Sequence, residues 1–188
     1  IVWMSDNTGK FVSNPNHLLG TFSGQLSVSD TSYATLMSSD THQASILLDF
    51  GKEMYGRIKI FSAIRECKVP VRLRIRLGES VTEAMSDVNM PDNPQNPTNE
   101  HSLRDFTVSA PWLGSFQCGN SGFRFARIDL LDKDIKYNLR HVSAVSLIRD
   151  IEDKGSFCSD NERINQIWQT GAYTVKLNMQ ESLWDGIK

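Results

Sequence analysis

The sequence predicts a mainly β protein: an antiparallel β-sandwich or jelly roll followed by one C-terminal α-helix. Three observations carry this. Segments that alternate polar and apolar residues recur about every ten to twenty residues up to Asp150, with turn-forming residues between them. Helical periodicity is almost absent over that stretch. After Ser159 the pattern changes, and Ile164, Ile167, Trp168, Gly171, Ala172, Val175 and Met179 fall at the spacing of one helical stripe.

The chain has 188 residues, enough for one good core. A hydrophobic content of 39% and a charged content of 22% fit an ordinary globular domain. The net charge of −2 leaves no basic footprint for nucleic acid or an anionic membrane. No apolar run approaches the roughly 18 residues of a spanning helix. No leader peptide is visible, and the chain starts at Ile1. Both a periplasmic or extracytoplasmic parent and a cytoplasmic one stay open. Cys67, Cys118 and Cys158 are far apart and odd in number, so they read as buried small hydrophobes rather than a disulfide framework. His17, His42, His101 and His141 are scattered, without the close ligand pair of a zinc site. No metal or cofactor is expected.

Residues 1–43 are rich in Ser, Thr, Asn and Asp, with short apolar groups. They read as lead-in strands and loops packed on something larger. A strand is expected at 44–50, ending in Asp49, Phe50 and Gly51. Gly51 and Gly56 are expected to bracket a turn, because glycine takes positive φ cheaply. Residues 57–62 then alternate again. So do residues 69–79, where Val71, Leu73, Ile75 and Leu77 face one way and Arg72, Arg74 and Arg76 the other. The arginine row suits phosphates or carboxylates. Pairing with acidic residues on a neighbouring strand is favoured, because the whole chain is acidic.

Residues 87–100 carry Pro91, Pro94 and Pro97 and read as a surface loop. Asp87, Asp92, Asn93 and Asn96 offer oxygens to calcium, but without EF-hand spacing, and a plain loop is favoured. Residues 104–110 read as a strand and 112–119 as a turn-rich connection. In 122–130, Phe123, Phe125 and Ile128 do not share parity, which calls for a bulge or burial on both faces. Residues 141–148 form the last strand.

Ser159 and Glu162 have capping-box spacing, so the helix is expected over residues 160–180. It leads to Ser182, Leu183, Trp184, Asp185 and Gly186. An acidic residue beside Trp and Gly, just past a long helix, reads as the entrance to a site. We therefore expect a fragment, cut where the parent's chemistry begins. No G-x-S-x-G, H-E-x-x-H, Walker-type or G-x-G-x-x-G motif is present. Residues 1–150 expose no catalytic apparatus.

Several segments, in order, resemble the bacterial α-L-rhamnosidases of glycoside hydrolase family 78. Asp49-Phe50-Gly51 followed by Gly56-Arg57-Ile58 is similar to a strand pair of the β domain that precedes the family's catalytic domain. Leu77-Gly78-Glu79, Arg104-Asp105 and Gly122-Phe123-Arg124-Phe125-Ala126 follow in the family's order. Gly155-Ser156-Phe157-Cys158-Ser159-Asp160, with Asn165, Ile167-Trp168 and Thr174, is similar to the linker into its barrel. Asp185-Gly186-Ile187-Lys188 resembles the start of the Asp-x-x-x-Arg stretch that opens the active site. The resemblance covers residues 44–188.

It implies an inverting hydrolase of terminal α-L-rhamnose on an (α/α)6 barrel absent from this chain. One carboxylic acid would protonate the leaving oxygen and a second carboxylate would activate water. By position, neither lies within these 188 residues, so no catalytic residue is expected and the fragment alone should be inactive. Asp185 matches an aspartate that binds sugar hydroxyls; its plainer reading is a solvated residue past a helix. Gly186 and Ile187 stand where many members carry Cys-Pro. The division implied is 1–43 lead-in, 44–152 β-sandwich, and 153–188 linker plus first catalytic-domain helix. The expected partners are that helical domain and, through it, rhamnose-containing carbohydrate. A dimer through the stripe of Ile164, Ile167, Trp168 and Val175 is a further expectation. The alternative is a jelly-roll carbohydrate-binding module, with Trp3, Tyr33, Tyr55, Trp112 and Tyr137 as candidate platforms. Core or interface packing is the plainer reading of each.

Overall fold

The computed structural model describes residues 1–66, 68–87 and 104–186. Eight antiparallel strands form one hydrogen-bonded sheet: β1 (Trp3–Met4), β2 (Val12–Ser13), β3 (Ala34–Met37), β4 (Ser45–Ser62), β5 (Val71–Gly78), β6 (Asp105–Ala110), β7 (Gly114–Leu130) and β8 (Lys136–Ser146). Among the described residues, two α-helices accompany them, α1 (Val81–Met85) and α2 (Glu162–Asn178), with a short 3-10 helix at Pro15–Leu19. The strand order is β2-β3-β8-β4-β7-β5-β6, with β1 on β4.

The two long strands make the sandwich. The first part of β4 pairs with β1 and with the end of β7, and β5 and β6 continue from there. The later part of β4 pairs with the start of β7 and with β8, and β3 and β2 continue from that side. Both wings contribute to a single core that includes Leu36, Ile46, Ile60, Ile75, Phe123, Ile128 and Tyr137. Each such side chain contributes roughly 1.5–3 kcal/mol by leaving water.

Residues 45–62 form one strand, so Gly51 and Gly56 do not bracket a turn. The pairing with β7 slips between Asp49 and Met54 and again between Gly56 and Ile58. Gly51 takes φ +86° at the first slip. Gly56 is needed for space instead: a Cβ there would lie 2.1 Å from the Val145 carbonyl oxygen of β8. The first slip also explains the broken parity of β7. Phe123 stays in the main core, while Phe125 turns outward to meet Leu47 and Ala84. Asp49 takes a bidentate ion pair from Arg124, with Nε and Nη2 both at 2.8 Å. That pair joins two of the segments that carry the family resemblance.

Residues 114–119 belong to β7 rather than to a turn-rich connection, and the last strand starts at Lys136, not His141. Helix α1 was not expected. Its signal is Ser80 and Glu83, at capping-box spacing: Ser80 Oγ accepts the Glu83 amide at 3.1 Å. Each arginine of the β5 row has an acidic partner: Arg72 with Asp132, Arg74 with Asp105 and Asp87, and Arg76 with Asp129.

The N-cap of α2 is Asn161, not Ser159. Asn161 Oδ1 accepts the Arg163 amide at 3.0 Å, and Glu162 opens the first turn. The Ser159 amide goes to Asn165 Oδ1 at 2.8 Å, and Asn165 Nδ2 returns a bond to the Ser159 carbonyl at 3.0 Å. This clasp takes the amide that a capping-box glutamate would have used.

Candidate functional site

Asp185 is exposed, past the end of α2, and no other acidic side chain joins it in a metal-type cluster among the described residues. The chain before it turns tightly: Met179 bridges to Leu183, and the Trp184 amide donates to the Asn178 carbonyl at 3.1 Å. Upstream, residues 147–160 run alongside α2. Lys176 Nζ meets Asp153 at 2.6 Å, and Phe157 stacks on Trp168 with centroids 6.2 Å apart. The helix touches the sandwich through Tyr173, whose hydroxyl donates to the Glu53 carbonyl at 2.5 Å. Its outer stripe is largely exposed, with only part of it covered by the preceding segment: Ile164 is 45% exposed, Ile167 62%, Trp168 39% and Val175 54%.

A second feature lies on the outer face of β2, β3 and β8. Along these strands Val12, Ala34, Leu36, Tyr137 and Leu139 point into the core. The alternate positions Ser13, Thr35, Met37, Lys136 and Asn138 point outward and line a cavity of about 520 Å³. Lys10, Tyr33, Arg65, Glu66, Asp134 and Ile135 complete its walls. The floor is held rigidly. Thr35 Oγ1 donates to Asn138 Oδ1 at 3.1 Å, and Asn138 Nδ2 donates to the Ile64 carbonyl at 2.6 Å. Arg65 is buried, gives its Nη atoms to the Pro111 and Val69 carbonyls at 2.9 and 2.7 Å, and lies over the Tyr137 ring.

Of the candidate aromatic platforms, only Tyr33 lines this cavity. Tyr137 is fully buried and bonds Ser62 Oγ through its hydroxyl at 2.7 Å, so it is a core residue and not a platform. Burial raises its phenol pKa well above the usual value. Trp112 gives its indole N–H to the Arg65 carbonyl at 2.7 Å. Trp3 lies beneath the Arg127 guanidinium, and Tyr55 lines a separate depression beside Arg57 and Glu181. Asp87, one of the possible calcium ligands, is engaged by Arg74; Asp92, Asn93 and Asn96 lie outside the described residues, as do Cys67 and His101. Cys118 is a half-buried thiol that burial pushes up to about 12, so it is no nucleophile. The sequence reading missed Ser13, Thr35, Lys136 and Asn138. Their only signal is polar alternation on strands about a hundred positions apart, whose pairing is a tertiary fact.

No family model matches the chain, and no curated protein does. Solved structures do. A rhamnosidase from Klebsiella oxytoca with rhamnose bound superposes with TM-score 0.66 at 16% identity, over 81% of this chain and 29% of that one. A family 78 rhamnosidase from Bacillus sp. GL1 superposes with TM-score 0.63 at 16% identity, over 84% of this chain and 15% of the other. The chain thus spans less than a third of either enzyme. Each superposition is longer than the stretch ending at Ser146, so it runs past the last strand. What this likeness shows is a shared fold: the chain is built as an antiparallel β-sandwich of the kind found within these two rhamnosidases.

Proposed function

We propose that this chain is the accessory β-sandwich of a glycoside hydrolase resembling α-L-rhamnosidases, together with the linker and opening helix of an α-helical catalytic domain. In this reading residues 1–43 supply lead-in strands, 44–152 the sandwich and 153–188 the joint. The parent enzyme hydrolyses terminal α-L-rhamnose from glycans or glycosides by inversion, and Asp185 contacts sugar hydroxyls there. The sandwich itself is structural. The observation that carries the reading is the largely exposed stripe of α2, on a chain whose fold superposes on two rhamnosidases past the last strand. A helix gains most of its stability from packing an apolar face, and this one leaves most of its stripe exposed, with Leu177 its one buried residue. Further helices of the parent would cover it.

Inversion needs two carboxylates about 6.5–9.5 Å apart across the scissile bond. By the family resemblance, neither of these carboxylates falls within the 188 residues. The 188-residue chain is therefore expected to release no rhamnose from an aryl α-L-rhamnoside. Robust turnover would overturn this division of labour. The exposed stripe is also expected to drive weak self-association, which Ile167→Asp abolishes in sedimentation equilibrium. A chain that stays monomeric at the highest soluble concentration counts against an apolar docking face.

A second reading, a carbohydrate-binding module, is favoured by one specific observation: the walled cavity over β2, β3 and β8 with Tyr33 at its side.

A further inference from the structure

We propose that the cavity over β2, β3 and β8 is a binding subsite for a neutral saccharide, one or two pyranose rings long. This rests on the carbohydrate-binding reading and names the site and the ligand class. The volume of about 520 Å³ lies within the range of small-ligand sites. The ligand class follows from the lining. Lys10 and Lys136 donate hydrogen bonds, Glu66 and Asp134 accept them, the Ser13 hydroxyl does both, and Thr35 Oγ1, whose proton goes to Asn138, accepts. An anion would need donors alone and would be repelled by the two carboxylates. A cation would meet the two lysines and the Arg65 guanidinium. A polyol, whose every hydroxyl both donates and accepts, satisfies groups of both kinds. Tyr33, Met37 and Ile135 add apolar surface for the C–H faces of a sugar ring.

The site is also preorganised. Asn138 is fixed between Thr35 and the Ile64 carbonyl, and Arg65 is fixed by two backbone carbonyls. A ligand therefore has little protein ordering to drive, and the flexible groups are confined to the lysines and acids of the rim.

The test is an NMR titration of the whole chain with methyl α-L-rhamnoside, cellobiose and D-glucuronate. A neutral sugar should bind with a dissociation constant of about 1 mM, as expected for so few atoms. Tyr33→Ala and Thr35→Val should each weaken it about tenfold with unchanged melting temperature, while Tyr55→Ala leaves it intact. Binding that ignores Tyr33→Ala and Thr35→Val overturns the site, as does tighter binding of glucuronate than of either neutral sugar. Neutral-sugar binding lost in Tyr55→Ala instead removes this cavity but leaves the carbohydrate-binding reading standing. Flat titrations with all three sugars end both.

Discussion

Glu53 sits half-buried on β4 with one carboxylate oxygen, Oε1, shielded from water and lacking a hydrogen-bond partner. Burial, with Glu79 as a like-charged neighbour, raises its pKa from 4.5 to about 7, against the opposing pull of Arg104. Between those values the folded chain holds a proton that the unfolded chain releases. The stabilisation is therefore complete below the ordinary carboxyl range and is lost as pH rises through about 7. For one half-exposed group the loss should be about 1 kcal/mol. Urea melts from about pH 5 to about pH 8 should show that slope in the parent sequence and a flatter one in Glu53→Gln. Asp129 is the opposite case. It is 1% exposed and accepts Arg76 Nη2 at 2.8 Å and Arg127 Nε at 2.7 Å. Asp129→Ala would strand two guanidiniums, and equilibrium unfolding should show a loss of about 3–5 kcal/mol. The sequence displayed the alternating arginines of β5. It did not display Asp129 as the partner of Arg76, because Asp129 lies on β7, two positions from Arg127, and reaches Arg76 only through strand pairing.

Among the elements, α2 is the weakest held. Its one buried residue is Leu177, and its ties to the strands include Tyr173 to Glu53 and the cation–π contact of Lys52 with Tyr173, while Lys176 to Asp153, Asn165 to Ser159 and Trp168 to Phe157 hold it to the segment before it. Native-state hydrogen exchange should therefore protect the amides of α2 far less than those of β4 and β7. Asn161→Ala should weaken α2 further, by about 1 kcal/mol of helix stability, without moving the sandwich. The existence of this helix was legible from its stripe. Its start was not, because two polar groups compete for the Ser159 amide and Asn165, one turn into the helix, takes it. The five-residue α1 escaped notice despite its Ser80–Glu83 signal, since so short a helix shows no periodicity.

At the scale of the molecule, a well-packed sandwich carries a helical appendage whose apolar stripe is largely exposed. Thermal unfolding followed by two probes should accordingly separate. Helical ellipticity near 222 nm should begin to fall below the temperature at which the buried core around Tyr137 opens, and coincident curves would mean that α2 is integral to the domain.

The sequence by itself determined the fold class, because period-two alternation and a single helical stripe are local consequences of backbone geometry. It also determined that the stripe of α2 is apolar. Tertiary structure alone decided that β4 and β7 run unbroken through both wings, that Gly56 is there to admit the Val145 carbonyl, and that Tyr137 is core while Tyr33 lines a cavity. It alone gathered Ser13, Thr35 and Asn138 onto one floor. The reason is register. Alternation says which side chains share a face of their own strand, but only the pairing of distant strands says what they face together.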